Sequence, residues 1–193
     1  MTISPEEDFQ CFHTNVFGTL NVTKVFVPYL RKNTGHRTLS NFSSMAAWYG
    51  APGHALYGGT NWAISGFTES LRAELAPFGI AVTAIEPGMF CTSVLNPGVI
   101  AHSEKLMPEY GESELGKLRK TLGEVSGKQV GDVAKGCKVL VDILIMTGVA
   151  EGKEIPVRVP LGADAHAVVR GKCESTMKLL EEWDGIVTNT DYE

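Results

Sequence analysis

No stretch of this 193-residue chain approaches the ~20 consecutive apolar residues that a membrane-spanning helix needs. No cluster of Lys and Arg is present either. Seventeen basic residues stand against 22 acidic ones, for a formal net charge of -5. That balance argues against a nucleic-acid surface and against a footprint on anionic membranes. The opening MTISPEEDFQ lacks the basic and apolar regions of a secretory signal. The four cysteines, Cys11, Cys91, Cys137 and Cys173, form no CxxC pair. The five histidines are equally scattered, so no metal site is expected. Four free thiols fit a reducing compartment, and a cytoplasmic location is expected. Internal repeats and low-complexity segments are lacking. What remains, 44% hydrophobic and 20% charged residues, is the composition of one ordinary globular domain over 1–193.

Ser4-Pro5-Glu6-Glu7 reads as a helix start, with a capping hydroxyl, a proline in the first turn and acids near the positive dipole end. Apolar residues then recur at helical spacing from Phe9 to Leu30, and Asn33-Thr34-Gly35 is a stop signal. A short strand is expected over Arg37–Ser43, and a loop over Met45–Pro52. A second long helix is expected from His54 to Phe78, and a buried strand over Ile80–Ile85 that stops at Pro87-Gly88. Residues 89–131 are rich in Gly and Pro and read as irregular, with short helical pieces. A third helix is expected over Asp132–Met146, an edge strand over Ile155–Val159, and a tail helix over Ala163–Trp183. The alternation of helix and strand implies a parallel α/β sheet.

Three signals at fixed spacing carry the chemistry. Asn41-Phe42-Ser43-Ser44-Met45-Ala46-Ala47 is followed by Tyr57, thirteen positions after Ser44. Tyr57-Gly58-Gly59-Thr60-Asn61 opens the second helix, and Glu86-Pro87-Gly88-Met89-Phe90-Cys91-Thr92 leaves the next strand. Asn15-Val16-Phe17-Gly18 sits within the first helix. This set resembles the short-chain dehydrogenase/reductase family up to about Val159.

The resemblance implies a doubly wound, Rossmann-like parallel sheet. It also implies catalytic roles for Ser44, Tyr57 and Asn15, with Asn61 at the position of the family's lysine. Pro87, Gly88 and Thr92 match its loop beside the nicotinamide, residues 89–131 its variable substrate cover, and 163–193 a C-terminal tail. Ser44 can hydrogen-bond a substrate oxygen, and Tyr57 can give or take that oxygen's proton. A free tyrosine titrates near ~10, so the family relies on its lysine to help it act near neutrality. Trp48, Tyr49, His54, Met89, Phe90, Thr92 and His102 are the candidate substrate contacts. The acids Glu109, Glu112 and Glu114 read as a solvated face, and Glu86 as a structural residue.

The chain departs from the family pattern in two ways. The motif is YxxxN, and asparagine carries no cation. The glycine-rich TGxxxGxG turn that cradles a dinucleotide pyrophosphate has no counterpart. The sequence therefore reads as a partial Rossmann-like fold lacking the N-terminal nucleotide-binding strands. From these departures the expected function is non-redox chemistry on a small, metabolite-like substrate: proton transfer, dehydration, isomerisation or cyclisation, as in secondary metabolism, with no cofactor. The alternatives are an NAD(P)-dependent oxidoreductase and a non-catalytic interaction subunit. An open sheet edge further predicts a homodimer, formed through the two long helices or by covering the open face, which the 163–183 tail could also cover.

Overall fold

A computed structural model describes residues 4–96 and 108–192. Its N-terminal helix starts where the sequence indicates. Ser4 Oγ accepts the Glu7 N–H at 3.2 Å, and the Glu7 carboxylate accepts the Ser4 N–H at 2.8 Å. This reciprocal capping box satisfies two backbone donors that a helix start leaves bare. Helix α1 (Pro5–Phe12) runs without a break through one π-helical turn, His13–Gly18, into α2 (Thr19–Lys32). The single helix read from sequence is thus continuous, with a local widening at Asn15. Gly35, at φ +89°, turns the chain into the sheet.

Strands β1 (Thr38–Phe42), β2 (Ala81–Pro87) and β3 (Arg158–Leu161) form a parallel sheet in the order β1-β2-β3. The central strand is buried from Val82 to Glu86. Parallel strands covered on both faces carry such continuous apolar runs. Helix α3 (Ala55–Leu75) packs on β2 and ends in a short 3-10 turn closed by Gly79 at φ +66°. Leu75, Ile80 and Val82 form a core cluster, with Val27, Leu30, Leu39 and Leu71 against it. Arg72 reads as a surface residue in the sequence. Its guanidinium instead donates to the Val82 and Ile155 carbonyls at 2.9 and 2.8 Å, joining α3 to the strands beneath.

Three expectations need correction. The last strand begins at Arg158, three residues later than its hydrophobic run suggests. Ile155 is buried all the same, and the Ala84 N–H reaches the Val157 carbonyl at 2.9 Å. The irregular stretch contains a genuine three-turn helix, α4 (Glu114–Val125), despite its internal glycines. After α5 (Val133–Ile145), the tail helix α6 extends over Ala163–Val187. Its first turns pack on β3 and on the 45–47 turn, while residues 171–192 are all exposed. The tail therefore leaves the β1 edge open, and Phe42 at that edge is 61% exposed.

Candidate active site

The functional residues gather at the C-terminal ends of the strands, where α/β folds bind ligands. Ser44 follows β1 in extended backbone, and its Oγ accepts the Ala46 N–H at 3.1 Å. That bond caps the short turn Met45–Ala47. A hydroxyl that accepts this way keeps its own proton for another acceptor.

Tyr57 lies in the first turn of α3. Its ring is 46% exposed and its phenol has no partner among the described residues. Helix and Ser44 turn are in close apposition: a Cβ on Gly58 would stand 3.7 Å from the Ala46 carbonyl. Ser44 and Tyr57 thus sit on neighbouring elements, each with a free proton.

Asn61 is one helical turn beyond Tyr57 and only 4% exposed. Its amide donates to the Tyr57 carbonyl at 2.7 Å, not to the phenol. Asn15 is on the π turn, and its amide donates to Thr60 Oγ1 at 3.2 Å. Thr60 in turn donates to the same Tyr57 carbonyl at 2.8 Å. Both asparagines therefore hold the backbone of the Tyr57 turn. One extra residue in a π turn re-aims side chains locally, and here it brings Asn15 to α3.

The candidate substrate contacts divide. Tyr49 is 38% exposed, and the His54 ring meets the Tyr57 ring edge-on with centroids 6.2 Å apart. His54 therefore borders the Tyr57 ring. Leu115 of α4 lies over Gly53, where a Cβ would stand 2.3 Å from its Cδ1, so α4 covers the loop leading into α3. Thr92 is exposed, but its Oγ1 accepts the Val94 N–H at 3.3 Å. Met89 is half-buried, and its backbone N–H donates to Asp164 at 2.7 Å. Phe90 points inward instead of facing a substrate. Its ring fills the space that side chains on Gly131 and Gly136 would need. Trp48 also turns inward, because its indole N–H finds the buried Glu86 carboxylate and its face meets Arg158. His102 lies outside the described residues.

The Pro87–Gly88 loop is fixed from two sides. The Gly88 N–H donates to the Leu161 carbonyl at 2.8 Å. A Cβ on Gly88 would stand 2.0 Å from Asp164 Oδ1, so only glycine fits. Sequence reading missed Asp164 and Arg158. The signal for Asp164 was present, since an acid after Gly162 at a helix start is a capping pattern. Arg158 gave no such signal, because only the sheet register puts it beside Glu86. Among the described residues no His/Cys/Asp/Glu group could hold a metal ion. No described helix is long and apolar enough to cross a membrane.

The fold and the placing of Ser44 and Tyr57 match the pattern of the short-chain dehydrogenase family. The short chain dehydrogenase family model matches residues 2–99, and this chain belongs to that family. It is 38% identical over 137 residues to the uncharacterized oxidoreductase YusZ of Bacillus subtilis (strain 168), covering 67% of this chain and 48% of that protein. It is 45% identical over 87 residues to 17-beta-hydroxysteroid dehydrogenase type 2 of Homo sapiens, covering 44% of this chain and 21% of that one. A short-chain dehydrogenase from Streptomyces avermitilis superposes with a TM-score of 0.83 at 30% identity, covering 99% of this chain and 66% of that one. The chain thus spans about half or less of the length of these curated relatives.

These relatives overturn the expected non-redox function. They are oxidoreductases and dehydrogenases by name, and they favour the redox alternative. The isomerase, cyclase and secondary-metabolism readings find no support among them, nor does the expectation of no cofactor, and the family favours its NAD(P) alternative.

Proposed function

We propose that this chain carries the substrate side of an NAD(P)-dependent oxidoreductase that interconverts an alcohol and a carbonyl. The observation that carries this reading is the pair of free hydroxyls. Ser44 has its donor unpartnered, and the half-exposed Tyr57 phenol lies on the adjacent helix, both at the strand C-terminal ends. Two hydroxyls so placed can hold one substrate oxygen: Ser44 donates a hydrogen bond to it, and Tyr57 gives or takes its proton.

The Thr92 hydroxyl, which accepts the Val94 N–H and keeps its own proton, is a donor suited to the nicotinamide end of such a cofactor, while the Gly88, Met89, Cys91 and Thr92 N–H groups are bonded within the protein. The Pro87–Thr92 loop, fixed by Gly88 and Asp164, and Tyr57 are the residues that would flank that end. When bound, a nicotinamide supplies or accepts hydride at the substrate carbon. Asn61 and Asn15 brace the backbone of the Tyr57 turn, and the His54 ring lies edge-on to the half-exposed Tyr57.

Oxidation of NADH and of NADPH, followed at 340 nm with a panel of ketones and secondary alcohols, tests the proposal. Turnover that disappears in Tyr57→Phe supports it; equal turnover in the variant sinks it. We further propose a small-molecule substrate, a cytoplasmic location suited to the free thiols, and a homodimer. Exposed Phe9, Phe17, Val22, Phe26 and Tyr29 on α1, α2 and the turn between them support the dimer. Sedimentation as a monomer at micromolar concentration would exclude it.

A further inference from the structure

The structure holds a buried carboxylate for which the proposed chemistry has no use. Glu86, on the central strand, is 0% exposed and is contacted from three sides. One oxygen accepts the Trp48 indole N–H at 2.6 Å. The other accepts the Ser65 hydroxyl at 2.7 Å and pairs with Arg158, whose Nε and Nη2 lie at 2.7 and 2.5 Å. A carboxylate can accept four hydrogen bonds, and this one is fully satisfied.

Each partner leads to the same six residues. Ser65 Oγ lies 3.0 Å from Ser43 Oγ, the residue before Ser44. Ser65 gives its one proton to Glu86, so the Ser43 hydroxyl donates either to Ser65 Oγ or to the Asn61 carbonyl at 3.1 Å, while the Ser43 N–H donates to the Ile85 carbonyl at 2.7 Å. Arg158 stacks on the Trp48 ring at 3.8 Å, and its Nη2 donates to the Ala47 carbonyl at 3.4 Å. Trp48 closes the turn by donating its backbone N–H to the Met45 carbonyl at 3.0 Å. Ser44 is therefore clamped on its N-terminal side through Ser43 and on its C-terminal side through Ala47 and Trp48. Both arms meet at Glu86.

We propose that Glu86 is a positioning residue that fixes the direction of the Ser44 hydroxyl by bracing both ends of the 43–48 segment. Its role in turnover rests on the oxidoreductase reading above. Its role in geometry does not. A short turn with one capping bond of its own has many orientations, and a misplacement of ~1 Å at a reacting group costs up to ~100-fold in rate. A buried acid joined to an arginine and an indole removes that freedom, because leaving any of the three unpaired in the interior is costly.

The test uses the full chain and Glu86→Gln, which keeps the shape and loses the arginine partner. Trp48→Phe and Ser65→Ala cut one arm each and serve if the first variant does not fold. Hydrogen exchange at the Ala46, Ala47 and Trp48 amides reads the geometry. Each variant is expected to speed exchange there at least tenfold while the β2 amides stay protected. Turnover is then read in a double-mutant cycle with Ser44→Ala. Loss of between about 10- and 100-fold in kcat is expected from Glu86→Gln in the wild-type background, and little further loss when Ser44 is already gone. Unchanged amide exchange overturns the proposal whatever the activity. Equal loss in both backgrounds also overturns it, since Glu86 would then act independently of Ser44. If the wild-type chain shows no turnover with either cofactor, the functional reading fails while the exchange experiment still decides the geometry.

Discussion

The Asn61 amide donates to the Tyr57 carbonyl at 2.7 Å, and so the residue one turn from the reactive phenol is committed to the helix backbone. Back-bonding of this kind is open to a short polar side chain and closed to a long ammonium stem. Asn61→Lys would replace that bond with a cation in a site only 4% exposed. We expect a stability loss of ~1–3 kcal/mol from the lost bond and the buried charge, measured by urea unfolding. Turnover near neutral pH should rise about tenfold if an ammonium reaches the phenol, since general acid–base catalysis gains from such help. A more stable variant without faster turnover would contradict both parts.

Tyr57→Phe removes a hydroxyl that has no partner among the described residues. Stability should change by less than ~0.5 kcal/mol, as for other exposed positions. Turnover should fall by about 10²–10⁴, the contribution of a placed proton donor. A melting temperature that drops along with activity would mean that the phenol is structural.

Gly88→Ala puts a methyl group 2.0 Å from Asp164 Oδ1. Either the loop or the carboxylate must move, at a cost of ~1–3 kcal/mol. Adding Asp164→Ala should recover part of that loss by vacating the space. Thermal melts of the single and double variants check it. Strict additivity would show that the two positions do not meet.

Asp142, near the end of α5, is held below the usual carboxylate range. The main cause is its hydrogen bond with Lys138, at 3.1 Å, followed by the Val149 N–H. A depressed folded-state value means that the unfolded chain binds the proton more readily. This contribution to stability is therefore complete above the unfolded carboxylate value, ~3.9, and is lost as pH falls through the lower folded value. Asp142→Asn should flatten the acid limb of stability against pH, with little change in slope above pH ~5. Urea midpoints across that range measure it.

Burial, then the charge of Asp8, pushes the Cys11 thiol up. Less of it is thiolate at neutral pH, and thiolate is the reactive form. Cys91, Cys137 and Cys173 are exposed. Mass spectrometry during limited iodoacetamide treatment should find Cys11 modified last.

Much of the architecture was legible because its signals are local. The Ser4–Glu7 cap, the Gly35 and Gly79 stops and the apolar run of β2 each lie within a few residues of what they specify. The fourteen-residue window from Ser44 to Tyr57 was legible for the same reason: strand end, turn and helix start follow one another directly. The π turn at Asn15 was not, because a one-residue widening leaves the apolar spacing nearly unchanged. Helix α4 was masked by Gly116 and Gly123, whose low helix propensity weakens the local signal, and none of its residues is buried.

The side chains of the site divide in the same way. Sequence alone placed Ser44 after a strand and Tyr57 at the head of a helix, since local order determines both. It could not say that Trp48 and Phe90 turn inward, that Asn61 bonds its own backbone, or that Glu86 meets Arg158 and Ser65. Arg158 is 72 residues from Glu86 in the chain and comes beside it through the parallel register of β2 with β3. A buried charge needs a partner, yet many residues could serve. Only the sheet, by fixing which strands lie side by side, decided which one does.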